Sequence, residues 1–171
     1  MVENRTTIVV VCDAGPLIHL DELECIHLLS DFPRVLVPEE VWKEVEHHRP
    51  AALTKRHSGF EKTTLASPPS PVLKTLVKLY SLHGGEQSAI RIAQMYVPSL
   101  LLTDDNAARL AAQSLGLSVH GTIGLLIRSI RRKQMTKARV IRLLQTIDSV
   151  STLHIKPALL HDIIREIEQR D

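Results

Sequence analysis

At 171 residues and 44% hydrophobic content, the chain can bury one sizeable core and is of single-domain length. A net charge of +2 advertises no general affinity for nucleic acid, and the two cysteines fit neither a disulfide framework nor a zinc spacing. The polar opening "MVENRTT" does not read as a secretory signal, and no apolar run reaches the roughly 18–20 residues of a membrane span. The expectation is a cytoplasmic protein with reduced thiols and no membrane partner.

Residues 7–12 (TIVVVC) are a continuous, largely β-branched run and read as a strand buried on both faces. Residues 14–30 read as one or two short helices, with Pro16 tolerated in the first turn. RVLV at 34–37 is a second strand, and Pro38 opens a helix through His48 with acids in its first turn. Residues 49–62 are a polar, basic stretch. TTLASPPSP at 63–71 reads as a break with a short edge strand. A helix follows over 71–82, and the glycines of "HGG" at 83–85 read as its cap. The next helix begins at Glu86 and runs to Tyr96. SLLLT at 99–103 and LSVH at 117–120 are further strands, separated by a helix that ends at Gly116. Three helices follow, near 122–133, 137–147 and 157–169.

Strands thus alternate with helices through residue 120. That order predicts an α/β fold, a three-layer α/β/α sandwich around a short-stranded parallel sheet. Residues 1–127 hold this unit, and 128–171 read as a helical extension packed on it.

Open parallel sheets bind ligands beyond the carboxyl ends of their strands. Asp13 ends the first strand, and Asp104 and Asp105 end "LLLT". Glu44, on the helix after the second strand, and Glu86, behind two glycines, can reach the same edge. Like charges gathered there need a cation, and oxygen ligands suit Mg²⁺ or Mn²⁺. Such an ion activates water for phosphodiester hydrolysis. Each acid also has a simpler reading: Asp13 and one of Asp104 or Asp105 as helix caps, Glu86 as a first-turn acid, Glu44 as part of a solvated face.

The segments "VVVCDAGPLI", "VLVPEEVWKEV", "GGEQSAIRIA" and "LLTDDNAARLAAQSLGLSVHGTIGLL" together resemble the PIN-domain nucleases. The resemblance covers residues 7–127 and is closest to the prokaryotic branch similar to VapC-like toxins. It implies a PIN-like sandwich and a Mg²⁺- or Mn²⁺-dependent ribonuclease site of three or four acids. By position those acids are Asp13, Glu44, Glu86 and, from the Thr-x-Asp pattern, Asp105, with Asp104 a close second as metal ligand. Thr103 is implied as a supporting hydrogen-bonding residue. Asn106 departs from relatives, which often carry a basic residue there. The resemblance also implies a toxin–antitoxin role, with a small antitoxin protein and a homodimer as partners.

Between Asn106 and Ile147 there is no acid, while Arg109, Arg128, Arg131, Arg132, Lys133, Lys137, Arg139 and Arg142 fall within it. Arg128, Arg131, Arg132 and Lys133 are the candidates for contact with an RNA backbone, against the plainer reading of a solvated helix face. Leu160, Ile163, Ile164 and Ile167 form one apolar stripe on the last helix, which packs on the protein's own core, seams a dimer or receives a partner helix. The histidines read as surface or packing residues. The leading expectation is an endoribonuclease; the alternative is a non-catalytic PIN-shaped nucleic-acid- or protein-binding module. A receiver would want its acid pair near strand one, and a dehalogenase-like hydrolase would want Asp-x-Asp where this chain has Asp13, Ala14, Gly15.

Overall fold

The first strand, β1 (Val9–Cys12), is hydrogen-bonded on both sides, to β2 (Val35–Pro38) and to β4 (Ser99–Leu102). The computed structural model describes residues 8–170, so Thr7, expected in this strand, lies outside the described residues. Beyond β2 lies β3 (Phe60–Thr63), and beyond β4 lies β5 (Ser118–His120). The sheet order is β3-β2-β1-β4-β5, all parallel. The winding reverses between β1 and β4, and that switch point is where such sheets leave a crevice.

A strand inside such a sheet has no solvent face, so alternation disappears and apolar residues run on. Val10 and Cys12 point into one core, with Val35, Val37, Leu100 and Leu102. Val11, Leu36 and Leu101 point into the other. The first core is covered by α1 (Ala14–Glu22), α2 (Glu39–His48), α3 (Pro50–Thr54), α7 (Thr122–Arg131), α8 (Lys137–Val150) and α9 (Pro157–Gln169). The second is covered by α4 (Pro71–Tyr80), α5 (Gly84–Met95) and α6 (Asn106–Ser114). A 3₁₀ helix, Ile26–Asp31, leads towards β2.

Val140, Leu144, Ile147 and Ile167 are buried in the same core as β1. On α9, Leu160, Ile163 and Ile164 pack against that core while partly exposed. Among the described residues no helix is long and apolar enough to cross a membrane.

Two local readings of the sequence need correction. The stretch 49–62, polar and basic in the sequence, contains α3 and the start of edge strand β3, and that edge strand precedes TTLASPPSP, sharing only Thr63 with it. Phe60 anchors β3 in the core, while Arg34 holds Glu61 through two hydrogen bonds of 2.8 and 2.9 Å. Charged side chains such as Glu61 and Lys62 suit an edge that must not recruit another strand. The glycine pair also does the opposite of what its position suggests. α4 stops at Ser81, in the left-handed region (φ 54°), and Gly84 and Gly85 are the first residues of α5.

Candidate active site

Because β1 and β4 are neighbours in register, with Cys12 opposite Leu102, the residues after them emerge side by side. The Asp13 N–H donates to the Leu102 carbonyl (2.9 Å), which carries the ladder one residue further. Asp13 is buried. Its Oδ1 accepts the Ala14 N–H (2.9 Å), capping α1, and its Oδ2 accepts the Thr103 hydroxyl (2.9 Å). Fully buried Thr103 accepts in turn from the Asp105 N–H (3.2 Å), so one hydroxyl ties the two strand-end acids together.

Glu86 is the third residue of α5, and its Oε2 accepts the His83 N–H (2.8 Å) in a reciprocal cap. Asp105 caps α6 through Oδ1, which accepts the Ala108 N–H (2.8 Å). Glu44 lies on the second turn of α2, exposed. A Cβ placed on Gly85 would sit 3.5 Å from Glu44 Oε2 and 3.9 Å from Asp13 Oδ1. Gly85 is therefore the place where α5 lets these two carboxylates approach. The simple and functional readings coexist: three of the four acids cap helices, and capping occupies one carboxylate oxygen of each.

None of Asp13, Glu44, Glu86 and Asp105 makes an ion pair among the described residues. Burial, reinforced by the charges of Glu86 and Glu44, pushes the Asp13 pKa up from 3.8 to about 6 against its two hydrogen bonds. Burial also raises Glu86, with Asp105 and Glu44 adding to the shift. The site thus concentrates negative charge without neutralising it, a state that favours a proton or a cation. Among the described residues, however, no three His, Cys, Asp or Glu side chains stand close enough together to hold a metal ion as they are. The available donors are oxygens. Cys12, next in the chain, is a buried thiol whose pKa is driven well up by burial and by Asp13 and Asp104, so it stays protonated.

The raised Asp13 pKa has a consequence for stability. Between about pH 4 and pH 6 the folded protein keeps a proton on Asp13 that the unfolded chain has released. The linkage slope is then negative, so this contribution is complete at low pH and is lost as pH rises through about 6. In EDTA, the melting temperature of the parent minus that of Asp13→Asn is expected to fall across that window. A difference that stays flat from pH 4 to 7 would contradict the assigned burial and crowding.

Asp104, named from sequence as a metal ligand beside Asp105, is committed elsewhere. Its Oδ1 accepts the Thr122 N–H (2.7 Å), and its Oδ2 accepts the Thr122 hydroxyl (2.6 Å) and pairs with His19 Nδ1 (2.7 Å). It joins β4 to the first turn of α7 and to α1, and both of its oxygens are used. Gly121 makes room for this junction. A Cβ there would fall 2.5 Å from Asp104 Oδ1 and 2.8 Å from Arg109 Nη2. Gly121→Ala is expected to lose about 1–3 kcal/mol, the usual range for overpacking, read as a lower denaturation midpoint. A midpoint matching the parent's would show that the junction has slack.

The four basic residues that the sequence offers for RNA contact lie along and beyond α7. α7 starts at the acidic edge and runs away from it for about 15 Å. Arg128 and Arg132 close on Asp31, which lies on the amino-edge side ahead of β2, at 2.5 and 3.0 Å. Arg128 also stacks on Phe32, 4.8 Å from the ring centre. Arg131 borders a groove between α7 and α9 beside Asp162 and Glu166, and Lys133 follows the end of α7. Arg128 and Arg132 are thus paired with Asp31 and not with the four acids. The basic residue beside the acids is Arg109, one helical turn after Asp105, whose Nη2 donates to the Thr103 carbonyl (3.1 Å). In the sequence it is only one member of a basic run. The roles of His19 and Thr122 were also missed, although "HGT" directly after a strand marks a helix start in need of an acceptor.

A family model described as PIN domain matches residues 9–169. No curated protein matches the chain. Among solved structures, a PilT N-terminus domain protein from the archaeon Sulfolobus solfataricus aligns with a TM-score of 0.55 and 16% identity, over 72% of this chain and 94% of that one. A protein from Pyrobaculum aerophilum aligns with a TM-score of 0.46 and 17% identity, over 74% of this chain and 92% of that one.

Proposed function

The chain belongs to the PIN-domain family, whose members are generally nucleases, and on that premise we propose that it is a metal-dependent endoribonuclease. The observation that carries the proposal is the gathering of Asp13, Glu44, Glu86 and Asp105 at the β1–β4 switch point, none of them in an ion pair among the described residues. A structural role asks for one capping oxygen from a residue. It does not ask for four acids at one edge, one of them buried and pushed up to about 6.

The oxygen-only donor set suits Mg²⁺ or Mn²⁺. Asp13, Glu44, Glu86 and Asp105 would hold the ion, Asp13 buried and fixed, Glu44 and Asp105 exposed. When bound, the ion supplies charge neutralisation and an acidified water for in-line phosphodiester hydrolysis. The residues around it set the geometry. Thr103 fixes Asp13 Oδ2 and the Asp105 backbone, while the starts of α1, α5 and α6 orient their capping acids. We extend the proposal to a toxin–antitoxin role, with a small neutralising protein and a homodimer as partners, on family resemblance alone.

Calorimetric titration of the metal-free protein with Mn²⁺ tests the ligand set. Binding is expected in the parent, and Glu44→Gln and Glu86→Gln should each weaken it. A folded parent that takes up no Mn²⁺ at millimolar concentration would overturn the catalytic reading and favour a PIN-shaped binding module.

A further inference from the structure

A cavity of about 460 Å³ opens at the same edge of the sheet, past β4 and β5, and the acids do not use it. That volume lies within the roughly 300–1,000 Å³ typical of small-ligand sites. One wall is α6 and the β5–α7 turn; the other is the loop that leads into α9. The second wall is fastened to α1, because Glu22 accepts from the Ser151 hydroxyl and from the Thr152 N–H and hydroxyl at 2.7–2.9 Å.

The chemistry of the lining is one-sided. Arg109, His120, His154 and Lys156 all border the cavity. The single acid on it is Asp104, whose oxygens are occupied by Thr122 and His19. Among the described residues neither Arg109 nor Lys156 has a carboxylate partner. Partial burial lowers the His120 pKa, and the charge of Arg109 on the same cavity lowers it further. The remaining surface is aliphatic, from Ile155, Leu159 and Ile163, and Leu159 is 54% exposed. Positive groups beside an apolar wall match a phosphate joined to a ribose and base.

We propose that this cavity holds one nucleotide of a single-stranded RNA, its phosphate between Arg109 and Lys156 and its base on the Ile155–Leu159–Ile163 wall, next to the bond to be cut. The inference rests on the nuclease reading for its neighbour, the acidic site one helical turn from Arg109. A base enters such a cavity only when unstacked, so the subsite selects single strands over duplex. The Ile155–Leu159–Ile163 wall offers no hydrogen-bonding side chain to a base edge, so preference among the four bases is weak.

The test uses the full chain in EDTA, with adenosine and uridine 5′-monophosphates followed by backbone amide shifts, and a labelled single-stranded RNA of about ten nucleotides followed by anisotropy. Both nucleotides are expected to shift the amides of Gly121, Gly124 and His154, whereas uridine without phosphate is not. Exposed Lys156 allows Lys156→Glu without disturbing the core; this variant should bind the RNA at least tenfold more weakly, and Lys156→Ala should reduce the salt slope by about 1. Duplex RNA of the same length should bind less tightly than the single strand. Unchanged RNA affinity in Lys156→Glu, or amide shifts confined to other residues, overturns the subsite even if the parent cleaves RNA. Conversely, a parent that shows these nucleotide shifts and this Lys156 dependence but never cleaves with Mn²⁺ keeps the subsite and loses the nuclease reading.

Discussion

Asp13→Asn is expected to reduce Mn²⁺-dependent RNA cleavage by at least about 100-fold, the upper end of what losing even an outer-sphere partner costs a metal site. Asparagine keeps the size of the side chain and one oxygen for the Thr103 hydroxyl, so the hydrogen bond that holds the β1 and β4 ends together is retained, while its NH2 replaces the oxygen that accepts the Ala14 N–H and that bond is given up. What disappears is the buried negative charge that burial, Glu86 and Glu44 hold at a pKa of about 6. Removing an uncompensated buried charge relieves strain in the metal-free protein, so the variant should melt no lower than the parent in EDTA above pH 6. Loss of activity with retained stability is the signature of a functional carboxylate. A variant that loses stability in proportion to its activity would reduce Asp13 to the cap of α1. The measurement pairs initial cleavage rates with thermal melts on the same samples.

Asp104→Ala should show the reverse pattern, with a large loss of stability. Three donors converge on this carboxylate: the Thr122 N–H, the Thr122 hydroxyl and His19 Nδ1. Their side chains are shielded, with Asp104 and His19 only 10% and 14% exposed. Hydrogen bonds to a charged group contribute about 1.5–3 kcal/mol each, and donors left unpaired add a desolvation cost. Because the bonds share one acceptor they do not sum independently, and a loss of about 3 kcal/mol is expected. For a chain of this size that corresponds to about 6–12 °C in melting temperature. Asp105→Ala, one residue later, loses a single helix cap and should cost about 1 kcal/mol. Equal destabilisation by the two alanines would contradict the separate tasks assigned to these adjacent acids.

How far these roles were legible in the sequence depends on how local their causes are. The central strands were readable because burial on both faces leaves an unbroken apolar run, as in VVVC and SLLL. β3 was misplaced because FEKT is an edge strand with a single buried anchor, Phe60, and its pairing with β2 is set by tertiary contact. The glycine pair at 84–85 was read as a helix stop because Ser81, an ordinary residue, occupies the left-handed position that glycine usually takes. Those glycines are instead needed at the start of α5, where Gly85 lies beside Asp13 and Glu44.

The strand-end acids stood out because position alone places them at the carboxyl edge. Dividing labour between Asp104 and Asp105 was harder. Neighbours at a strand end point to different sides, and which side meets Thr122 depends on where β5 delivers the start of α7. The placement of the basic residues is equally non-local. Arg128, Arg131, Arg132 and Lys133 cluster in the sequence, but α7 carries them away from the acids, and Asp31, about a hundred positions earlier in the chain, engages two of them. Arg109, a single arginine in a run of small residues, is the one held beside the acids, by the Thr103 carbonyl and the space left by Gly121.

The most direct measurement is cleavage of single-stranded RNA by the purified protein with Mn²⁺, run beside EDTA-treated protein and beside Asp105→Asn purified identically. The parent is expected to show cleavage that EDTA abolishes and Mn²⁺ restores, and Asp105→Asn to lack it while remaining folded. Cleavage that persists in Asp105→Asn would assign the activity to something other than these carboxylates, and a folded, Mn²⁺-supplied parent that leaves RNA intact would contradict the nuclease reading itself.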